Sequence, residues 1–88
     1  MSTADGTTTV DGNAIAGALL DVFGADMTAR RGACEACGRE AAFASTVVEL
    51  NRRSAIVRCP FCTRTLFTIL HLDAEPALVL GSLGRIRV

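Results

Sequence analysis

Three features of this 88-residue sequence predict a small α+β fold that a metal ion stabilises. A helical run follows Asp11, segments rich in β-branched residues follow residue 40, and four cysteines form two Cys-x2-Cys pairs. A chain of this length buries a smaller fraction of its surface than a larger domain, and small domains therefore often depend on disulfides, metals or partner chains. We expect an N-terminal helix to pack on an antiparallel β-sheet that a metal site holds together.

Residues 11–24 have the composition and the flanking signals of a helix. Asp11 is suited to cap the free amides of the first turn, and Gly24 is suited to end the helix in a left-handed conformation. Apolar side chains cover most of the helix circumference, which predicts burial on more than one side and contact with a partner protein or a second copy. The predicted contact residues are Ile15, Leu19, Leu20, Val22 and Phe23. The polar residues 1–10 are predicted to form a disordered tail before a single domain, 11–88.

The segments 41–50 and 54–58 resemble the two arms of a β-hairpin. Both have high β-propensity, and they flank the polar turn sequence Asn-Arg-Arg-Ser. Another strand is predicted in the segment 63–72, where the single histidine, His71, is expected to be half-buried. The last residues, 77–88, are predicted to form one or two C-terminal strands.

The cysteines are regularly spaced. Two residues separate the members of each pair and 21 residues separate the pairs, which are Cys34 with Cys37 and Cys59 with Cys62. Two intervening residues allow a tight turn, here called a knuckle, to direct both sulfurs at one point, and the predicted hairpin brings the second pair back to the first. Gly38 suits the positive φ that such a turn often requires. Thr63 holds the equivalent position in the second knuckle and departs from this preference.

Four converging thiolates favour Zn²⁺ in a closed tetrahedral site, with iron as the alternative. A redox-active Cys-Pro-Phe-Cys corner of the glutaredoxin type is disfavoured, because the segment after Cys62 is short and has the composition of a strand, not of a helix. The sequence shows no signal peptide and no apolar run of membrane-spanning length, which predicts a cytoplasmic protein with reduced thiols and disfavours structural disulfides. Because four sulfurs leave no open position on the metal, and no nucleophile or carboxylate constellation is apparent, we expect no enzymatic activity and identify no small-molecule substrate.

The charge distribution is uneven although the formal net charge is zero. Residues 1–27 carry four aspartates and no basic residue, whereas residues 28–72 carry seven arginines against three glutamates. The candidate nucleic-acid or anion contacts are Arg52 and Arg53 at the hairpin tip, together with Arg58 and Arg64, and the nucleic-acid hypothesis also includes Arg30 and Arg31. Such a cluster indicates phosphate binding as a candidate activity.

The sequences "CEACG" and "CPFC" resemble the tetracysteine core of a rubredoxin-like zinc ribbon, over about residues 28–72. This resemblance implies Cys34, Cys37, Cys59 and Cys62 as the metal ligands. Rubredoxins have cores rich in Tyr, Trp and Phe, whereas this chain has no Tyr or Trp, which favours zinc over iron. Together with the helical run, the pattern also resembles a family of small uncharacterised bacterial proteins, over roughly residues 11–88. That resemblance implies a stand-alone helix plus zinc ribbon, encoded beside oxidoreductases, and thus an oxidoreductase as a candidate partner.

Three functions follow as hypotheses. The first is a non-enzymatic zinc-binding module that acts by binding another protein or a second copy of itself. The alternative is a nucleic-acid-binding zinc ribbon that uses the arginines of the hairpin tip. The third is an iron electron carrier similar to rubredoxin.

Overall fold

The structure, a computed structural model, describes residues 7–87, which contain one α-helix and eight β-strands. The elements are β1 (Thr8–Asp11), α1 (Ala16–Phe23), β2 (Arg31–Cys34), β3 (Glu40–Ala42), β4 (Val47–Leu50), β5 (Ser54–Arg58), β6 (Thr65–Leu70), β7 (Ala77–Leu80) and β8 (Leu83–Arg87). The strands form two antiparallel sheets, with the orders β1-β4-β5-β6-β7 and β3-β2-β8. The predicted α+β class is therefore confirmed, with two sheets in place of one. In the described part of the chain, no helix has the length and apolar character needed to cross a membrane.

The helix lies between the two residues that the sequence indicates as its limits. Asp11 accepts a hydrogen bond from the backbone N–H of Ala14 at 3.3 Å, and a 3₁₀ turn over Gly12–Ile15 leads into α1. Gly24 follows the helix with a φ of 76°, and its N–H donates to the carbonyl oxygen of Leu20. The cap residues thus fix both ends of a helical segment whose first turn is tighter than an α-helix.

Strand β1 corrects the prediction of a disordered tail over residues 1–10. Thr8–Asp11 pair antiparallel with β4, and Val10 lies opposite Val48. The β-branched residues of this stretch favour extended backbone, whereas its polar composition resembles that of a tail. Residues 1–6 of the predicted tail lie outside the described residues.

Strands β4 and β5 form a hairpin around the polar turn. The Asn51 side-chain oxygen accepts hydrogen bonds from the backbone N–H groups of Arg53 and Ser54, each at 2.8 Å. The predicted first arm, 41–50, is however divided by a 3₁₀ turn over Phe43–Ser45. As a result β3 and β4 belong to different sheets, and the first knuckle stands on one sheet while the second stands on the other.

The C-terminal residues form two strands that also join different sheets. Strand β7 pairs with β6, and β8 pairs with β2. At the crossing between them, the N–H groups of Gly81 and Ser82 donate to the carbonyl oxygens of Leu66 and Thr65 at 2.8 and 2.9 Å. His71 is exposed, follows the end of β6 and has a φ of 60°, which corrects the prediction that it is a half-buried strand residue.

Glu40 on β3 links all three strands of the smaller sheet. Its carboxylate lies 3.8 Å from the Arg31 guanidinium on β2, and 3.4 and 2.9 Å from those of Arg85 and Arg87 on β8. The hydrogen bond from Arg87 lowers the pKa of Glu40. This carboxylate therefore stabilises the fold above the pKa of an unperturbed glutamate, and its contribution is lost as the pH falls through the lowered pKa.

Helix α1 directs most of its large apolar side chains into the protein's own core, as expected for a helix that packs on a sheet, whereas binding of a partner or a second copy to this helix stays a prediction. Ile15 and Leu19 are 4 % and 1 % exposed, and the Phe23 ring lies 5.8 Å from the Phe67 ring on β6. Most other apolar positions of the helix are alanines, which extend the apolar character without adding a large contact surface. Of the five predicted contact residues, Ile15 and Leu19 are buried, Val22 and Phe23 are partly buried, and Leu20 is exposed.

Candidate metal centre

The first knuckle connects β2 to β3. Cys34 is the last residue of β2, and its N–H donates to the Arg39 carbonyl oxygen at 2.9 Å. The Gly38 N–H donates to the Cys34 carbonyl oxygen at 2.8 Å, and Gly38 has a φ of 78°. The positive φ predicted for Gly38 is thus present in the structure, and the turn places Cys34 and Cys37 on one side.

The second knuckle connects β5 to β6 and repeats the same hydrogen bonds. The Cys59 N–H donates to the Arg64 carbonyl oxygen at 2.8 Å, and the Thr63 N–H donates to the Cys59 carbonyl oxygen at 3.0 Å. Thr63 has a φ of 67°, so a threonine adopts the conformation that the first knuckle gives to glycine. Its hydroxyl donates to the Cys62 carbonyl oxygen. Threonine in place of glycine at this position therefore leaves the conformation of the turn unchanged.

The two knuckles bring the four sulfur atoms together, and all four lie within 4.8 Å of one another. Two pairs cross between the knuckles: Cys34 Sγ lies 3.6 Å from Cys62 Sγ, and Cys37 Sγ lies 3.7 Å from Cys59 Sγ. Zinc–sulfur bonds of about 2.3 Å in a regular tetrahedron place sulfurs about 3.8 Å apart. The four free thiols therefore fit a tetrahedral metal ion, and the structure supports a metal site whose ion is not identified by this geometry.

The sulfurs differ in their environments. Cys34 and Cys59, the first residue of each pair, are buried, whereas Cys62 is partly buried and Cys37 is exposed. On the outer side of the knuckles, the Arg39 guanidinium lies 5.1 Å from the centre of the half-exposed Phe61 ring. The site thus borders the core at Cys34 and Cys59 and reaches the surface at Cys37.

Backbone amides of the second knuckle stabilise one thiolate. Burial alone would raise the pKa of Cys59, but hydrogen bonds from the backbone N–H groups of Cys62 and Phe61 and from neighbouring thiols lower it to about 7. The pKa of Cys62 is raised to about 11: the Arg64 N–H acts to lower it, but burial and the shared hydrogen bonds with the other cysteines outweigh that effect. The second knuckle therefore favours the thiolate of Cys59 over that of Cys62, and metal binding requires its cysteine ligands to be deprotonated.

Arg58 supports the second knuckle, so its side chain is already engaged within the protein. It donates to the carbonyl oxygen of Thr63 at 3.3 Å, to the hydroxyl of Thr65 at 3.2 Å, and to the Glu49 carboxylate at 3.1 Å. These contacts tie the left-handed residue of the knuckle to β4 and β6. We therefore interpret Arg58 as a residue that supports the second knuckle, and its role as an anion contact stays a prediction.

The other predicted anion contacts do not form one surface. Arg52 and Arg53 lie at the turn before β5, whereas Arg64 lies beyond the far end of that strand. The length of β5, about 17 Å, therefore separates Arg64 from the other two. Arg53 also lies 3.8 Å from the Asp73 carboxylate. An excess of arginine in one stretch of sequence therefore does not place these side chains on one surface.

A closer arginine cluster, which the sequence analysis missed, lies on the three-stranded sheet. Arg31 pairs with Arg87 across β2 and β8, and Arg85 lies opposite Ala33. One carboxylate, Glu40, serves all three guanidinium groups. Charged and apolar residues alternate after Gly84, which is typical of a strand with one solvated face, but this pattern does not indicate that Arg31 lies beside that strand.

The left-handed position of the first knuckle gives a testable prediction. Replacing Gly38 with alanine is expected to destabilise the metal-loaded protein by about 1 kcal/mol, because an L-residue in this conformation is strained. Gly17→Ala is the matched control: a Cβ at either position meets no atom within 4 Å, but Gly17 is helical, so alanine there is expected to stabilise by about 0.5–1 kcal/mol. Denaturant unfolding of both variants measures the difference. Equal stabilisation by both alanines would contradict the geometry described for this knuckle.

Comparison with models of protein families gives a match over most of the sequence. A model of a protein family of unknown function matches residues 5–88, which is nearly the whole chain. No curated protein and no solved structure matches the sequence.

Proposed function

We propose that this chain, which belongs to the family of unknown function DUF6510, is a non-enzymatic zinc-binding module that acts by binding another protein or a second copy of itself. The observation that supports this most strongly is the convergence of four cysteine sulfurs within 4.8 Å. In a site of this kind, all four ligand positions are sulfur, and the metal has a structural role. The metal then maintains the fold, and the folded protein presents the surface that binds the partner.

Zinc is the proposed ion, with iron as the alternative. Both ions accept four thiolates, so the donor set alone does not separate them. The absence of Tyr and Trp from the sequence favours zinc over a rubredoxin-like iron site. Elemental analysis together with an absorption spectrum decides the question: we expect one zinc per chain and no visible charge-transfer bands, and such bands would instead support the electron-carrier hypothesis.

The proposal of protein binding is supported by apolar side chains that the fold leaves exposed. They are Leu20, Val47, Phe61, Leu78, Val79 and Leu80. Three of the six are consecutive in β7, whereas the others lie on different elements. Apolar groups concentrated in one place are typical of interaction sites, whereas isolated ones are common on any surface.

Affinity capture from the source cells tests the proposal. We expect metal-loaded protein to retain a specific partner after nuclease treatment and at moderate salt, and the metal-stripped protein to lose it. The partner class that the sequence resemblance implies is an oxidoreductase. If the wild-type protein captures no more protein than a Val79→Lys variant does, binding through the exposed apolar residues is contradicted. If capture does not depend on the metal, the role given to zinc is contradicted.

Nucleic-acid binding is the second candidate, favoured by the excess of arginine over carboxylate on the three-stranded sheet and by the exposed Arg52 at the hairpin tip. Backbone phosphate binding weakens steeply with salt, because it releases condensed counterions. A titration with mixed oligonucleotides at two salt concentrations therefore separates the candidates. We expect no salt-dependent affinity; such an affinity, if lost in an Arg85→Ser, Arg87→Ser variant, would favour this second function.

A further inference from the structure

The outer edge of β7 differs from the other strand edges of the molecule. The two sheets of residues 7–87 have four edge strands, and three of them carry charged residues: Asp11 on β1, Glu40 on β3, and Arg85 and Arg87 on β8. The residues of β7 are Ala-Leu-Val-Leu, with no charge. Charged side chains on an edge strand prevent its pairing with another chain, so three edges of this protein are protected and one is open to pairing.

The side chains of β7 extend the apolar face of the five-stranded sheet beyond the region that the core covers. Leu80 lies opposite Phe67 and Leu78 lies opposite Ile69, and directly paired residues share a face of the sheet. Phe67 and Ile69 are fully buried, whereas Leu80 and Leu78 are 67 % and 36 % exposed. The face that forms the core at β6 therefore continues uncovered at β7.

The backbone of β7 offers hydrogen-bonding groups on the same open edge. The Gly81 N–H donates to the Leu66 carbonyl oxygen on β6. Because the two edges of a strand alternate from residue to residue, Ala77 and Val79 also face β6, and the N–H and C=O groups of Leu78 and Leu80 face outward. The open edge thus combines unpaired backbone groups with the most exposed apolar side chains.

We propose that a second copy of this chain binds this edge, so that β7 pairs antiparallel with β7 of the partner across a two-fold axis at Val79. Leu78 then exchanges backbone hydrogen bonds with the partner's Leu80, and Leu80 does so with the partner's Leu78, giving about four bonds. The two five-stranded sheets become one continuous sheet, and the four leucines contact one another on its apolar face. This proposal rests on the proposed function, which is protein binding, and it identifies the bound protein as a second copy of the chain.

Charge determines the choice of a second β7 as the occupant. A pairing of β7 with β1, β3 or β8 of another copy places Asp11, Glu40 or the arginines against an uncharged apolar strand, where they lose solvation without gaining a counter-charge. Pairing β7 with β7 buries no charge, and a two-fold axis makes the register self-complementary. The same strand therefore supplies both halves of the interface.

Charge substitutions at Val79 test the arrangement. The axis places the two Val79 side chains directly opposite each other, so like charges there repel. We expect the wild-type protein to have the mass of a dimer in sedimentation equilibrium, and Val79→Lys and Val79→Glu each to have the mass of one chain, with at least about tenfold weaker self-association. An equimolar mixture of the two variants is expected to restore the dimer. Leu20→Lys is the control, because Leu20 and Val79 are each 49 % exposed, and it is expected to remain dimeric.

A wild-type protein with the mass of one chain at every concentration would overturn the proposal, as would dissociation by Leu20→Lys and not by Val79→Lys. Dissociation by both Val79 variants without recovery in the mixture would overturn the two-fold register. Metal content and circular dichroism of each variant establish that it is folded. If the metal-loaded, folded protein is monomeric, the dimer proposal is wrong. Zinc-dependent binding of other proteins is tested separately by affinity capture.

Discussion

Replacing Cys37 with serine is expected to abolish the cooperative unfolding transition of the metal-loaded protein. A structural zinc ion contributes on the order of 10–16 kcal/mol of apparent binding free energy in small peptides. The total stability of a domain is about 5–15 kcal/mol, so we expect a bound metal to account for much of the stability of a chain of 88 residues. A site with three sulfurs binds metal far less tightly, and we expect the apo chain to bury too little surface to fold without it.

Cys37 is the most informative of the four ligands because its side chain is exposed. A surface substitution without a special role changes stability by about 0.5 kcal/mol or less. Cys59→Ser, by contrast, also places a hydroxyl in the core, so that packing and ligation are both changed. Thermal unfolding followed by circular dichroism, with metal content measured alongside, separates the two contributions. An ordinary melting transition in Cys37→Ser would contradict the stabilising role of the metal.

Cys37→His provides the matched rescue. Zinc accepts three thiolates and one imidazole in structural sites, so histidine restores a fourth ligand where serine does not. We expect Cys37→His to bind zinc and to recover a cooperative transition at a lower temperature than the wild type. Removal of the metal from the wild-type protein with a chelator is expected to reproduce the serine phenotype, and addition of zinc is expected to reverse it.

The metal centre could be predicted from the sequence because its geometry is local. Each Cys-x2-Cys pair sets its own turn, and the position after each pair adopts a positive φ whether it is Gly38 or Thr63. Asp11 and Gly24 indicated the helix ends for the same reason, since capping depends on a few adjacent residues. The hairpin between the knuckles needed only a polar turn between two β-forming segments.

The features that were missed depend on contacts between distant parts of the chain. Strand β1 forms because β4 offers it an edge, and β8 leaves the sheet of β7 because β2 and Glu40 accept it. The sequence pattern around Asp11 and Arg87 contains no sign of either partner. The apolar composition of the helix does not indicate which residues it contacts: the Phe23 ring packs against Phe43 in the 3₁₀ turn before β4 and against Phe67 on β6, both far along the chain.

Replacing Phe67 with alanine is expected to destabilise the protein by about 3–5 kcal/mol, which is the range for deletion of a buried phenylalanine. Phe67 has no exposed surface, and its ring centre lies 5.8 Å from that of Phe23 and 5.7 Å from that of Phe43. The three rings join α1, the 3₁₀ turn before β4, and β6. Phe61→Ala is the matched control, because that ring is 50 % exposed and its cation–π contact with Arg39 is worth about 0.5–1 kcal/mol.

The same substitution tests whether metal binding and folding are one process. If the apo chain is unfolded, the apparent zinc affinity contains the free energy of folding, so a core substitution weakens zinc binding without touching a ligand. A loss of 3–5 kcal/mol then lowers the apparent affinity by about a hundredfold to several thousandfold, since about 1.4 kcal/mol corresponds to a factor of ten. Competition with a metal indicator measures this ratio for Phe67→Ala and for Phe61→Ala. An unchanged affinity in Phe67→Ala would mean that the apo protein is already folded and that the four sulfurs bind metal for a purpose other than stability.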